Sequence, residues 1–344
     1  EMQRSLVGSE MCIRDRICTS HKLEMRKEAA QEWRITMKIA VLGAGAMGSI
    51  YGGHLSINND VYMIDKKEEL VEKISADGLK LYENDKDVIY HPKALLSSEG
   101  IGEVDLVIIF VKALYSRAAL MENKAIIGDN TYVLTLQNGA GHEDIIEEFV
   151  PKERIIIGTT EDNGAILDNG YVRRGGKGKT NIGMLVEDKN GMLDKVKECF
   201  DGCGFDTHIY SNIQQLIWDK LFTNVSLSAL TGVLQVPIGF IAEDKYAWNM
   251  TVTLIKEAMQ VAKAMGLEFD EDEMIERVRN TSINSPEGRT SIYADLKAGR
   301  LTEVNTISGA VVKAGDRLGI PVPSHKMIVN MVHAMENKSK NNVQ

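Results

Sequence analysis

Lys220, Asn224 and Ser228 lie at i, i+4 and i+8 in Leu216-Ile217-Trp218-Asp219-Lys220-Leu221-Phe222-Thr223-Asn224-Val225-Ser226-Leu227-Ser228, so a helix would put all three on one face. Most of their neighbours are apolar. An ammonium desolvated there, beside an amide and a hydroxyl, could donate a proton or hold an oxyanion, because burial lowers a lysine pKa from about 10.4 toward a useful value. The plainer reading is a surface lysine whose stem lies on apolar residues while its head reaches water, and periodicity alone favours it. Glu303, in Arg300-Leu301-Thr302-Glu303-Val304-Asn305, is a second candidate, although an acid near the start of an expected helix also suits the helix dipole without further role. Ser291, twelve residues earlier, reads by default as a cap or a surface residue. Lys112 and Asn138 close apolar runs, and loop positions at strand ends are where ligand contacts are made. Asn138-Gly139 is equally a plain turn dipeptide.

Groups this far apart need a frame. Met37-Lys38-Ile39-Ala40-Val41-Leu42-Gly43-Ala44-Gly45-Ala46-Met47-Gly48 reads as a short apolar strand entering a Gly-x-Gly-x-x-Gly turn, with a helical pattern after it. Gly43 permits the tight turn, Gly45 lets a pyrophosphate approach the backbone, and Gly48 lets the helix pack on the strand. Ala46 and Met47 open that helix, whose free N–H groups and positive dipole end suit phosphates. A second strand, Val61-Tyr62-Met63-Ile64, ends at Asp65, where an acid bonds a ribose 2′-hydroxyl and repels a 2′-phosphate. With strand, helix and acid all in place, dinucleotide binding is favoured over a purely structural turn.

Strands and helices go on alternating, which points to a parallel sheet covered by helices. Expected strands are Lys38–Leu42, Val61–Ile64, Asp105–Val111, Thr131–Leu136, Arg154–Thr159 and Phe205–Tyr210, with helices at Glu68–Ala76 and Met192–Phe200. The apolar run within Asp105–Val111 suits a strand buried on both faces. Leu79–Tyr82 and Val88–His91 form an expected hairpin, and Gly164–Met184 reads as antiparallel strands added to the sheet edge. From Ser211 the pattern is helical: Asn212–Leu234, Phe240–Met265, Asp272–Asn280, Ser291–Lys297, Thr302–Leu318 and Ser324–Asn337. The expected fold is α/β, with an N-terminal Rossmann-type dinucleotide-binding domain over residues 37–210 and a C-terminal all-helical substrate domain over 211–344. Residues 1–36 fit neither domain. They are charged and lack the apolar segment of a secretory signal, so we expect a disordered or artefactual extension and a native start at Met37. Deleting them is expected to leave activity and melting temperature unchanged, and a large loss of either would contradict this.

The 344 residues suffice for about two domains. A net charge of −9 argues against a dedicated nucleic-acid or anionic-membrane surface. No run approaches the roughly 18 apolar residues of a membrane span. Cys12, Cys18, Cys199 and Cys203 form no Cys-x-x-Cys pair, and a reduced, cytoplasmic setting is the plain reading. His21, His54, His91, His142, His208, His325 and His333 have no ligand spacing, so no metal site is expected. The helical half could hide a homodimer face, to which no residue points.

Taken together, Gly43–Gly48, Val111-Lys112-Ala113, Gln137-Asn138-Gly139, Trp218-Asp219-Lys220-Leu221-Phe222-Thr223-Asn224, Leu301-Thr302-Glu303 and Leu318-Gly319-Ile320-Pro321-Val322-Pro323 resemble the ketopantoate reductases (2-dehydropantoate 2-reductases) in type and order, from Met37 to about Glu336. The resemblance implies reduction of a 2-oxo acid, ketopantoate, to pantoate in pantothenate and coenzyme A biosynthesis. It implies Lys220 as general acid, Glu303 engaging substrate and the lysine, and Asn138 near the nicotinamide, where it would contact both cofactor and substrate. Lys112 would lie on the cofactor side, with Asn224, Ser228 and Ser291 on the substrate side. It favours NADP(H), since Lys66 falls where relatives hold the cofactor phosphate with an arginine, whereas Asp65 argues for NAD(H). The chain departs from the pattern at Ser228, where many relatives have a second asparagine. It departs again at Asn305-x-x-Ser308-Gly309, where they tend to read Asp-x-x-Asn-Gly. Both departures bear on the substrate. The alternatives are a paralogous reductase of another 2-oxo acid and a non-catalytic nucleotide sensor.

Overall fold

The computed structural model describes residues 36–340, so the expected extension lies outside the described residues apart from Thr36. In chain order the first half comprises β1 (Lys38–Leu42), α1 (Ala46–Leu55), β2 (Asp60–Ile64), α2 (Glu68–Asp77), β3 (Leu79–Glu83), β4 (Lys86–Tyr90), β5 (Lys93–Leu95), β6 (Leu106–Ile109), α3 (Ser116–Glu122), β7 (Tyr132–Thr135), α4 (Glu143–Ile146), β8 (Ile155–Thr160), β9 (Asn163–Asp168), β10 (Tyr171–Gly176), β11 (Lys179–Gly183), α5 (Met192–Asp201) and β12 (Asp206–Ile209). The helices α6 (Ile213–Leu234), α7 (Ile238–Glu243), α8 (Lys245–Ala264), α9 (Glu271–Asn284), α10 (Ser291–Lys297), α11 (Ser308–Leu318) and α12 (Pro323–Lys340) follow.

The large sheet has the order β12-β11-β8-β7-β6-β1-β2-β5, parallel from β8 through β5. Alternation along its strands fills both faces. Ile39, Val41 and Ile108 enter one core, while Ala40, Leu42, Val107 and Ile109 enter the other. Of the antiparallel strands expected at the edge, β11 joins β8 there. The β9–β10 hairpin does not. It pairs with the β3–β4 hairpin in a second sheet of order β4-β3-β10-β9. A buried polar network anchors that sheet against α1. Arg174 Nη2 donates to Asp162 Oδ2 at 2.6 Å, and His54 on α1 meets Glu83 at 2.9 Å. Period-two alternation identifies a strand but not its partner, so these long-range bonds left no local signal.

In the second half α6 is apolar on nearly every face, as befits a central helix. Trp218, Phe222 and Val225 are buried along it, and α8, α9, α10 and α12 pack around it. Asn212 caps it by accepting from the Gln215 N–H at 3.2 Å. Two expected helices differ. Phe240–Met265 is split into α7 and α8 because the Asp244 carboxylate accepts from the N–H groups of Tyr246 (3.0 Å) and Ala247 (2.8 Å), which starts a new helix. Thr302–Leu318 is helical only from Ser308. The Thr302 N–H and hydroxyl both go to Glu336 Oε1 at 2.7 Å, and the N–H groups of Thr306 and Ile307 turn back to the Glu303 carbonyl. Glu303 therefore lies in a turn ahead of α11, and a helix dipole does not account for an acid there.

Candidate active site

At the end of β1 the chain turns sharply. Gly43 has φ +98°, and a Cβ there would lie 2.8 Å from the Val111 nitrogen, while one on Gly48 would collide with the Gly43 carbonyl. Gly45 is different: a Cβ would meet nothing within 4 Å, so its side of the loop is open. Gly45 also caps α1 without a side-chain hydrogen bond, which leaves the N–H groups of Ala46 and Met47 facing no cap. Asp65 Oδ2 accepts from the Ala44 N–H at 2.8 Å and its Oδ1 from the Lys67 N–H at 3.0 Å. The carboxylate is fixed beside the glycine loop, and each oxygen keeps a lone pair for a ribose hydroxyl. The Lys66 ammonium reaches Glu122 at 2.7 Å. An open glycine face, an uncapped helix start and a fixed acid fit a dinucleotide.

The loops after β6, β7 and β8 carry the next groups. Behind β6, Lys112 Nζ pairs with Asp295 Oδ2 of α10 at 2.8 Å and donates to the Leu301 carbonyl at 3.3 Å. Next to it the Ala113 N–H donates to Glu303 Oε1 at 3.2 Å. Burial raises the Glu303 pKa. The Ala113 N–H and the Lys112 charge hold it back, while Asp295 adds to the rise. Behind β7, the Asn138 carbonyl accepts from His142 Nε2 at 3.0 Å and from Thr306 Oγ1 at 3.4 Å, and the Ala140 N–H reaches the Thr306 carbonyl at 2.9 Å. Gly139 has φ +99°, and any side chain there would strike Thr306. The Asn138 loop and the Glu303 turn are thus docked on one another.

Behind β8, the Thr160 carbonyl accepts from Lys220 Nζ at 3.0 Å. The Lys220 side chain is exposed to solvent, yet protein atoms crowd around its ammonium. That enclosure lowers the ammonium pKa, partly offset by Glu161. One turn along α6, the Asn224 amide makes no hydrogen bond with any described residue, so its donors and acceptor are available. Ser228, one turn further, is buried. Its carbonyl accepts from Thr290 Oγ1 at 3.3 Å, and Thr290 also meets Thr231 at 2.9 Å and caps α10 through the Tyr293 N–H at 3.2 Å. Exposed Ser291 therefore begins a helix that rests on the Ser228 turn. Among the described residues no ion pair or hydrogen bond joins Lys220 to Glu303. They are anchored at β8 and β6, with Asn138 at β7 between them. Two strand spacings, about 10 Å, fit a small molecule between the anchors. A cavity of 560 Å³ opens elsewhere, between Tyr82–Asp85 and Arg173–Lys177, and contains neither Lys220 nor Glu303.

Spacing along the sequence did not reveal Thr160, Asp295 or the Ala113 N–H. The first and last act through backbone atoms, and Asp295 is 183 residues from Lys112.

The chain matches two models of known families, "Ketopantoate reductase PanE/ApbA" over residues 39–187 and "Ketopantoate reductase PanE/ApbA C terminal" over residues 212–336. It is 31% identical over 302 residues to the 2-dehydropantoate 2-reductase of Streptococcus pyogenes serotype M6, covering 87% of this chain and 98% of that protein. Among solved structures it is similar to D-mandelate dehydrogenase with NADH and anilino(oxo)acetate, at 34% identity and TM-score 0.80, covering 88% of this chain and 99% of the other. It is also similar to 2-dehydropantoate 2-reductase from Geobacter metallireducens GS-15, at 27% identity and TM-score 0.78, covering 86% and 99%. A glycine cradle on β1, followed by a lysine on the first helix after the sheet and a glutamate in the turn before α11, agrees with these matches over both halves: the chain belongs to the ketopantoate reductase family.

Proposed function

We propose that the protein reduces a 2-oxo acid of the ketopantoate type to the 2-hydroxy acid with a nicotinamide dinucleotide, and that Lys220 is the proton donor. The observation that carries this reading is that Lys220, Asn138 and Glu303 are each held by segments at the ends of three adjacent parallel strands, beside an open glycine cradle. Residues 37–210 would hold the dinucleotide, and residues 211–344 would supply Lys220, Asn224, Ser228, Ser291 and Glu303. When bound, the dinucleotide supplies a hydride to the keto carbon. Lys220 gives its proton to the carbonyl oxygen as negative charge builds there. A lysine whose pKa is lowered by its surroundings does this more readily than one in water. Asn224 and Ser291 offer hydrogen bonds to the rest of the substrate, and Glu303 orients the complex from the far side.

The family and Lys66 support NADPH as the donor. A second reading, NADH with a different 2-oxo acid, has its own support. Asp65 is fixed where it would oppose a 2′-phosphate, and Lys66 is paired with Glu122. The D-mandelate dehydrogenase similar to this chain was solved with NADH. Ser228 and Ser308 also replace the asparagines of many relatives in the parts of the family pattern that bear on the substrate. The test is to follow nicotinamide absorbance with purified protein, NADPH or NADH, and a panel of 2-oxo acids including ketopantoate. The leading reading expects the highest kcat/KM with ketopantoate and NADPH. Higher values with NADH and another acid would establish the second reading. No turnover alongside tight nucleotide binding would leave the sensor.

A further inference from the structure

Asp65 and Lys66 end β2 with opposite charges, and the structure treats them differently. Two backbone N–H groups hold Asp65, whereas Lys66 Nζ is held by a side chain, Glu122 Oε1 at 2.7 Å. The neighbouring Lys67 ammonium is turned toward Asn169, at 2.7 Å. Glu122 is the last residue of α3, which follows β6, and β2 and β6 flank β1 on its two sides. The Lys66–Glu122 pair therefore bridges the segments that leave β2 and β6, across the crevice beyond the end of β1. In a sheet of this kind the adenosine half of a dinucleotide lies there.

We infer that Glu122 is a cofactor-specificity residue, which occupies Lys66 and sets a second carboxylate near Asp65 at the adenosine 2′ position. The inference rests on the dinucleotide reading above and concerns only the adenosine end. A ribose 2′-hydroxyl donates to Asp65 and leaves the pair undisturbed. A 2′-phosphate must draw Lys66 away from Glu122 and then faces two carboxylates. As an exposed pair it adds little to stability. Its effect falls on ligand choice, through charge at the 2′ end of the ligand, and salt weakens it.

The test is to measure dissociation constants of NADPH and NADH, and of AMP with and without a 2′-phosphate, by calorimetric titration at low and high salt. Glu122→Gln is expected to tighten the 2′-phosphorylated ligands by about three- to tenfold relative to their counterparts at low salt, and less at high salt. Glu122→Lys is expected to go further in the same direction. Glu148→Gln, which removes the partner of Arg117 on the same helix, is expected to leave the ratio unchanged. An unchanged ratio in Glu122→Gln, with both nucleotides still bound, overturns the inference alone. An equal shift in Glu148→Gln shows a general charge effect and also overturns it. Failure of the unmodified protein to bind either nucleotide overturns the dinucleotide reading and the inference with it.

Discussion

Lys220→Ala is expected to lower kcat by about 10²- to 10⁴-fold, the range for loss of a positioned general acid, while the dissociation constant of the dinucleotide stays near that of the unmodified protein. The expectation follows from where the side chain is held. Its ammonium is tied to the Thr160 carbonyl at 3.0 Å, at the end of β8, and the glycine cradle lies at the end of β1, three strands away. Removing the amine takes away a proton donor without touching the cradle. The lowered pKa fixes the sign of the pH dependence. Lys220 must be protonated to act, so activity falls as pH rises through its pKa, and this basic limb lies below the usual lysine range. Single-turnover rates across pH test both points. An unchanged kcat in Lys220→Ala would remove the lysine from the mechanism.

Glu303→Gln is expected to be the second largest effect, a fall of about 10²-fold in kcat/KM, comparable to removing one fixed electrostatic group from an active site. Glutamine keeps the shape and can still accept from the Ala113 N–H, so the change isolates the charge. Burial raises the Glu303 pKa, so its ionised form is lost as pH falls through a value above the usual carboxylate range. The unmodified protein should therefore lose activity on the acid side over that interval, and Glu303→Gln should lose that limb. A variant that keeps both its rate and its acid limb would assign Glu303 to structure alone, as part of the turn docked on the Asn138 loop.

The two residues were legible to different degrees. Lys220, Asn224 and Ser228 announce a shared helix face by spacing, yet spacing could not separate a surface lysine from a working one. That distinction depends on the Thr160 carbonyl, a backbone atom 60 residues away. Glu303 was hidden further by a misplaced helix start. The side chain that holds Thr302 out of α11 belongs to Glu336, 34 residues on, and no local propensity reports it. The parallel sheet was readable because strands buried on both faces are apolar throughout. The second sheet was not, because the Arg174–His54 and His54–Glu83 contacts that place it join segments 120 and 29 residues apart. Glycines were the most informative residues. Gly43, Gly45 and Gly48 were each assigned a separate task, and the structure shows three different surroundings for them.

The central claim is hydride transfer to a 2-oxo acid, with a proton from Lys220. It is tested most directly by turning over ketopantoate with a reduced dinucleotide that carries deuterium at both nicotinamide C4 positions and locating the label in the product. The account predicts pantoate carrying deuterium at C2, formed at a rate that collapses in Lys220→Ala. Product without the label, or labelled product formed equally fast without the lysine, would contradict it.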